Sequence, residues 1–182
     1  GPGHTKAVFG ADAIKEALTD YRDAIRYIVD ETRNGMDAGL TIDELASSVK
    51  LPDHLAEKPY LREYYGRVDF SVRAYFIGTM GWFDGNPTSL GETPPALEAK
   101  KIIALAGGSS AVLKAAQDAL AGGDAQWALE LADRLIAAND LGKDGVSLKI
   151  EALRLIANDT VNAPTRNYYL LSARELEEQS QA

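Results

Sequence analysis

The helical character of this chain is clearest in residues 122–132, which read GGDAQWALELA. The two glycines stop a preceding helix, and Asp124 can cap the next one because its carboxylate accepts hydrogen bonds from free first-turn amides. Large apolar side chains then recur four residues apart, at Trp127, Leu131 and Leu135. Ala128 and Ala132 are small enough to let another helix approach closely. The stretch therefore predicts a helix that packs tightly against a helical neighbour.

A partner helix is predicted after a turn at residues 139–145, and it carries Ala152 and Leu153. Such a pair follows the logic of a tetratricopeptide hairpin. Only one pair fits well, whereas a solenoid needs about three or more repeats for stability. Residues 94–178 are therefore predicted as tetratricopeptide-like helices, and their short Gly-rich connections favour antiparallel neighbours in a bundle.

The first half of the chain also has a helical period. A single heptad stripe is formed by Ile14, Leu18, Tyr21, Ile25, Ile28 and Thr32. It predicts a long first helix that ends near Asn34-Gly35, with a stripe that either faces the core or packs in part against a second subunit. Thr41 and Glu44 form a capping box for a short helix, and residues 68–80 read as a mostly apolar helix. With no alternating strand pattern, the chain is predicted to be a single all-α domain over residues 1–182.

Composition excludes several classes of function. The 182 residues are 46% hydrophobic and carry a net charge of −8, which predicts a packed core and disfavours nucleic-acid binding. No stretch of about 18 uncharged apolar residues predicts a membrane span. The absence of cysteine excludes disulfides, thiolate zinc sites and cysteine nucleophiles. The only histidines are His4 and His54, which argues against a self-contained histidine-rich metal site.

No complete enzyme signature is present. The patterns GxxxxGK[ST], GxSxG, HExxH and GxGxxG are all missing, and each of them requires fixed spacing to bind phosphate, a nucleophile or a metal. The acidic residues fall on outer helix faces, which is typical of a solvated surface. We therefore assign no catalytic residue and no cofactor to this segment.

Residues 81–87, GWFDGNP, have an unusual composition for a helix end. Asp84 and Asn86 can bond to nearby backbone, and Gly81 and Gly85 can take positive φ. One interpretation is a rigid corner, residues 81–87, whose two aromatics fill the core. The other interpretation is a wall of a ligand pocket in which Arg73 or Tyr75 is the polar anchor.

This structural corner consists of Gly81, Trp82, Phe83, Asp84, Gly85, Asn86 and Pro87. A further polar stretch, residues 162–169, reads NAPTRNYY and predicts a buried hydrogen-bonded junction more than a binding site. The remaining candidate is His4, which by itself is interpreted as a terminal remnant.

Several of these stretches together resemble one family. Residues 60–66, YLREYYG, are followed by SVRA at 71–74 and GWFDGNP at 81–87, and downstream blocks GDAQWALELAD at 123–133 and RNYYL at 166–170 occur in the same order. The chain is similar, over nearly its whole length, to the dimerisation region of metallo-β-lactamase-fold alkylsulfatases, which hydrolyse dodecyl sulfate.

The resemblance implies a parent enzyme with a zinc domain before this segment and a sterol-carrier-like domain after it. In that family two zinc ions activate a water that attacks the sulfate ester. The resemblance places the last zinc-ligand histidine at His4, in a GHTK context that differs from the more usual His-Gly-Trp-Pro, and makes residues 1–10 the junction with the zinc domain. One imidazole cannot hold zinc, so His4 is an orphaned ligand here. By position, Arg73 and Tyr75 are the implied substrate-binding residues, acting only with the zinc domain.

The expected function is therefore dimerisation of an alkylsulfatase-like zinc hydrolase. Its partners are a second copy of the chain and the zinc-hydrolase domain of the same parent, and this segment is not expected to be catalytic alone. An alternative is a tetratricopeptide-like adaptor, a monomer with an open concave face lined by Asn, Lys and Arg. A third interpretation is a small-molecule binder that uses the neighbourhood of Arg73, Tyr75 and Trp82.

Overall fold

The computed structural model describes residues 6–181, and the regular secondary structure in that range is helical. The α-helices are α1 Ala11–Asp37, α2 Ile42–Ser48, α3 Asp53–Ala56, α4 Val68–Met80, α5 Pro95–Leu105, α6 Ser109–Ala121, α7 Ala125–Ala138, α8 Gly142–Asp159 and α9 Ala163–Gln181. A short 3-10 helix, Pro87–Gly91, lies between α4 and α5. The prediction of an all-α fold is confirmed for this part of the chain.

The polypeptide is divided into two compact units at residues 91 and 92. In the first unit α4 packs against α1 and α2. The small core of this unit consists of Leu45, Ala46, Val49, Val72 and Phe76. The assignment of residues 1–182 to one domain stays a prediction.

The second unit is built around α7, which packs against α5, α6 and α8, while α9 packs on α8. Ala128 and Ala132 of α7 and Ala152 of α8 are fully buried, as the tetratricopeptide-like pair requires. The helix α8 begins at Gly142, four residues before the predicted start at Val146. A Cβ on Gly145 would lie 3.1 Å from Leu135 Cβ, so this glycine serves close helix packing within α8.

The ends of three helices test the predicted caps. Thr41 and Glu44 form the expected capping box, and Asp124 accepts a hydrogen bond from the Trp127 amide at 3.1 Å. Serine is a favoured N-cap residue, so the sequence after Gly107-Gly108 predicts that Ser109 caps α6, and this prediction is wrong. Gly108 occupies the N-cap, and the Ser109 hydroxyl donates instead to Asp140 Oδ2 at 2.5 Å.

The first helix is longer than predicted, because α1 continues through Gly35 to Asp37. Gly35 is buried inside the helix, where an added Cβ would lie 2.2 Å from Leu45 Cδ2. The glycine is thus needed for contact between α1 and α2, and the chain turns only at Gly39, with φ of 80°.

Candidate dimer interface

The heptad stripe of α1 is buried only toward its C-terminal end. Thr32 is fully buried and donates to the Ile28 carbonyl at 2.6 Å. By contrast Ile14, Leu18 and Ile25 are exposed in the described structure, Leu18 by 65% and Ile25 by 62%. The interpretation of the heptad stripe as core-facing is therefore wrong for these three residues. We call Ile14, Leu18 and Ile25 the α1 stripe.

Helix geometry explains why the α1 stripe is uncovered. At about 100° per residue, Ile14, Leu18 and Ile25 fall within roughly 40° of one another around the axis. The buried positions Ala17 and Ala24 lie about 60° or more to one side. The first unit is thus packed against the alanine face of α1, and its larger apolar side chains point elsewhere.

A shallow hollow accompanies the N-terminal part of the α1 stripe. It is lined by Ala11, Ile14, Lys15, Leu18, Thr19 and Arg22. The charged groups in this lining are both cationic. Arg22 contacts the neighbouring Asp23 at 2.7 Å, and the side chain of Arg22 remains 65% exposed. The surface is therefore apolar with a basic edge.

The segment between α3 and α4 is clamped onto the other side of α1. Lys58 Nζ lies 2.6 Å from Glu16 and 3.2 Å from Asp20. Tyr60 donates its hydroxyl to Asp20 Oδ2 at 2.5 Å, and the Tyr21 hydroxyl donates to the Tyr60 carbonyl at 2.5 Å. These bonds join residues about 40 positions apart, and no local sequence pattern pointed to them.

A cavity of about 340 Å³ lies between α1 and this clamped segment. Its lining is mostly apolar and includes Tyr21, Ile25, Ile28, Tyr60, Tyr64 and Val68. Ile25 belongs both to this cavity and to the α1 stripe. The uncovered apolar surface of the first unit is therefore continuous along α1.

The clamp depends on pH through Asp20 and Tyr60. The hydrogen bond from Tyr60 lowers the pKa of Asp20, whereas burial, together with the bond to Asp20, raises the pKa of Tyr60. Because the pKa of Asp20 is lowered in the folded state, its ionised form stabilises the fold at pH values above the ordinary carboxyl pKa of about 4. This stabilisation is lost as the pH falls through the lowered pKa. Because the pKa of Tyr60 is raised, its protonated form stabilises the fold below about pH 10, and this stabilisation is lost as the pH rises through the raised pKa.

We predict that Tyr60→Phe returns the pKa of Asp20 toward its ordinary value, because the largest influence lowering it is the Tyr60 hydroxyl. Carboxyl carbon chemical shifts followed by NMR between about pH 2 and 6 measure this change. Tyr168→Phe on the exposed ring of α9 is the matched control and should leave Asp20 unchanged. An unaltered Asp20 pKa in Tyr60→Phe would contradict the clamp.

The structure separates Arg73 and Tyr75. Arg73 contacts Asp43 of α2 at 2.7 Å, whereas the Tyr75 hydroxyl accepts a hydrogen bond from Arg33 of α1 at 3.0 Å. Two residues along a helix differ by about 200° around its axis, so these side chains lie on opposite faces of α4. They do not form a joint polar anchor within the first unit, and their role in substrate binding stays a prediction.

The corner at residues 81–87 makes the turn bonds that its sequence predicts. Asp84 accepts hydrogen bonds from the Asn86 amide at 2.8 Å and the Ser89 hydroxyl at 2.7 Å. Gly81 and Gly85 take φ of 84° and 88°. The bond from Ser89 is the main cause of a lowered pKa at Asp84.

The aromatic residues of the corner do not fill a core. Trp82 is 76% exposed, and its ring meets that of Phe83 edge-on at a centroid distance of 5.9 Å. Because α4 ends at Met80, Trp82 has left the helix face that carries the buried Val72 and Phe76. The interpretation of Trp82 as a core plug is therefore wrong.

Two other candidates have separate outcomes. Asn162 is buried and accepts hydrogen bonds from the Thr165 amide at 3.1 Å and the Thr165 hydroxyl at 2.7 Å, which is the predicted junction before α9. His4 lies outside the described residues.

Residues 6–181 contain no group of three or more His, Asp or Glu side chains suited to a metal ion. None of their helices combines the length and apolar character needed to cross a bilayer. The described residues thus combine an all-helical fold with an uncovered apolar stripe on α1 that has a basic edge.

Comparison with known proteins identifies the family. Residues 41–179 match the family described as alkyl sulfatase dimerisation, and the chain belongs to it. The resemblance drawn from the sequence motifs is thereby confirmed.

Relatives are similar over almost the whole chain. A linear primary-alkylsulfatase from Pseudomonas is 47% identical over 97% of this chain and 34% of its own length. An alkyl/aryl-sulfatase from Saccharomyces cerevisiae is 30% identical over 92% of this chain and 26% of its own length. The structure of a stereoselective inverting sec-alkylsulfatase from Pseudomonas superposes with a TM-score of 0.87 at 38% identity, covering 93% of this chain and 27% of that one. The chain thus spans about a quarter to a third of these relatives.

Proposed function

We propose that this chain is the dimerisation module of an alkylsulfatase-type enzyme and that it assembles as a homodimer. The observation that carries the proposal is the α1 stripe, where Leu18 and Ile25 are exposed by more than half on an ordered helix. Exposed apolar side chains aligned along one helix mark a surface that another protein covers. Membership of the alkyl sulfatase dimerisation family supports a second copy as that protein.

The proposal extends to the parent protein. Because the relatives are alkylsulfatases three to four times as long as this segment, we assign hydrolysis of alkyl sulfate esters to the whole parent. The described residues alone do not fit a catalytic zinc ion, which needs about three protein ligands. Zinc in the parent, with His4 as one ligand and Arg73 and Tyr75 near the substrate, is therefore proposed only together with the zinc-hydrolase domain.

The test is the solution mass by light scattering over a dilution series. We expect a mass near twice 19.6 kDa. Leu18→Glu should weaken the dimer at least about tenfold, because burial of a leucine side chain contributes about 1.5–3 kcal/mol and 1.4 kcal/mol corresponds to tenfold in affinity.

The matched control is Val161→Glu, at a residue 70% exposed in the loop before α9. It introduces the same charge and should leave the dimer intact. A wild-type chain that stays monomeric at every concentration would contradict the proposal and favour the adaptor interpretation.

A further inference from the structure

The second unit contains a groove whose charge is opposite to that of the α1 stripe. It lies between α6 and α8 and has a volume of about 390 Å³. Its apolar lining is formed by Leu113, Leu120, Leu148 and Leu155, and its charged lining by Asp144 and Glu151. Within residues 6–181 no Lys or Arg side chain lies within ion-pair distance of either carboxylate. We call this surface the α6–α8 groove.

The groove differs from the concave face expected of a tetratricopeptide-like adaptor. That alternative predicts a lining of Asn, Lys and Arg, whereas the polar residues here are Gln117, Asp144, Ser147 and Glu151. An acidic, leucine-rich groove is suited to an amphipathic helix whose apolar face carries cations at its edge. In this chain α1 is such a helix.

The charges of the two surfaces have the same spacing. Lys15 and Arg22 are seven residues apart on α1, and Asp144 and Glu151 are seven residues apart on α8. At 1.5 Å per residue, both separations are about 10.5 Å along the helix axis. Two ion pairs can therefore form in one register.

An antiparallel register also matches the apolar residues. If Lys15 lies opposite Glu151 and Arg22 opposite Asp144, then Leu18 falls opposite Leu148. The next pairs are Ala11 with Leu155 on α8 and Ile25 with Leu141, the residue just before α8 begins. Leu141 and Leu155 are both exposed. A parallel arrangement of the same ion pairs would instead place Leu18 opposite Ser147 and Ile25 opposite Arg154, so the antiparallel register is favoured.

Building on the proposed dimerisation, we propose that α1 of one protomer lies antiparallel in the α6–α8 groove of a second copy, and that the second copy returns the same contact. A two-fold axis repeats every contact, so a pairing between two different surfaces of the chain occurs twice in the dimer. Each seam then contains the pairs Lys15–Glu151 and Arg22–Asp144 around Leu18.

The area of contact favours this reciprocal arrangement over pairing of α1 with itself. The paired stretch from Ala11 to Ile25 is about 21 Å long, and a strip about 10 Å wide buries roughly 210 Å² per partner. A single α1–α1 seam of this length would bury roughly 420 Å² in total, which is well below the figure of about 1,000 Å² expected for a specific interface. Two reciprocal seams bury roughly 840 Å², which is twice as much and close to that figure.

Charge reversal tests the proposal in the full 182-residue chain. Lys15→Glu with Arg22→Glu, and separately Asp144→Lys with Glu151→Lys, should each weaken the homodimer at least about tenfold, because each places like charges together in both seams. All four residues are exposed, so folding should be preserved. Sedimentation velocity over a concentration series measures the dissociation constant.

Mixing the two charge-reversed chains gives the sharpest result. In a heterodimer of the two variants, the acidic α1 of one chain meets the basic groove of the other, and the remaining seam is wild type. We expect the equimolar mixture to recover a dimer with affinity within about tenfold of the wild type. A mixture that stays monomeric would overturn the reciprocal seam.

Matched controls separate the failure of this inference from that of the proposed function. Asp159→Lys with Glu175→Lys makes the same change in net charge outside the groove and should leave the dimer intact. A dimer that is broken by Leu18→Glu but kept by Asp144→Lys with Glu151→Lys would overturn the groove and leave dimerisation standing. A monomeric wild type would overturn both.

Circular dichroism shows whether Asp144→Lys with Glu151→Lys is folded. If it is not, the neutral variant Asp144→Asn with Glu151→Gln replaces it and should still lower the affinity of the dimer. An unchanged affinity would reject the seam.

Discussion

Replacement of Gly145 by leucine is expected to lower the free energy of unfolding of the second unit by about 3 kcal/mol. A Cβ at this position would lie 3.1 Å from Leu135 Cβ and 3.3 Å from the Ala132 carbonyl oxygen. Backbone cannot yield as a flexible side chain can, and Leu135 is fully buried. The larger side chain must therefore push α8 away from α7, at the contact that holds this helical pair together.

Thermal unfolding followed by circular dichroism should show a fall in Tm on the order of 15 °C for the second unit. Gly142 in the same helix is the matched control, since its Cβ would meet only Asn139 Oδ1, at 3.9 Å. Gly142→Ala should raise stability by up to about 1 kcal/mol, because alanine is the better helix former. Equal destabilisation by Gly142→Leu and Gly145→Leu would show that the α7–α8 crossing is not the cause.

Leu45→Ala is expected to lower the free energy of unfolding of the first unit by about 3 kcal/mol. Leu45 is 1% exposed and belongs to the small core between α2 and α4. Its deletion removes buried apolar surface and leaves a cavity, and a core of five buried residues has little other packing to compensate. Urea unfolding monitored by circular dichroism measures the loss.

A double-mutant cycle with Gly35 isolates the contact between α1 and α2. In the wild type, Gly35→Ala should be destabilising because the new methyl group would overlap Leu45 Cδ2. In the Leu45→Ala background that atom is gone, and Leu40 Cδ1, at 3.3 Å, lies on an exposed side chain that can move. Gly35→Ala should then become stabilising by up to about 1 kcal/mol through helix propensity. The coupling should exceed about 1 kcal/mol. The same sign in both backgrounds would contradict the packing of Leu45 against Gly35.

The candidate interface was only partly predictable from the sequence. The heptad spacing identified the α1 stripe, but the same spacing is compatible with a buried core face and with a subunit contact. The structure separates the two, because Thr32 lies inside the first unit while Leu18 and Ile25 lie outside it. The division follows from which side of α1 meets α4, and that side is set by contacts distant in sequence.

Local chemistry determined the helical class of this protein and several of its helix ends. The capping box at Thr41 and the cap at Asp124 each depend on bonds within one turn, so neighbouring residues were sufficient to predict them. The repeated 3.6-residue period likewise needs no partner to be recognised. The family followed from ordered motifs, which the match over residues 41–179 confirms.

Tertiary structure alone decided the roles of Gly35, Gly145 and Trp82. Glycine is compatible both with a helix end and with a close helix crossing, and only the position of Leu45 or Leu135 shows which one applies. The aromatic ring of Trp82 could fill a core or face outward, and only the course of the chain after Met80 places it in solvent. The clamp from Lys58 and Tyr60 to α1 joins residues about 40 apart. Such contacts depend on how whole helices pack, which the spacing of residues within one helix does not specify.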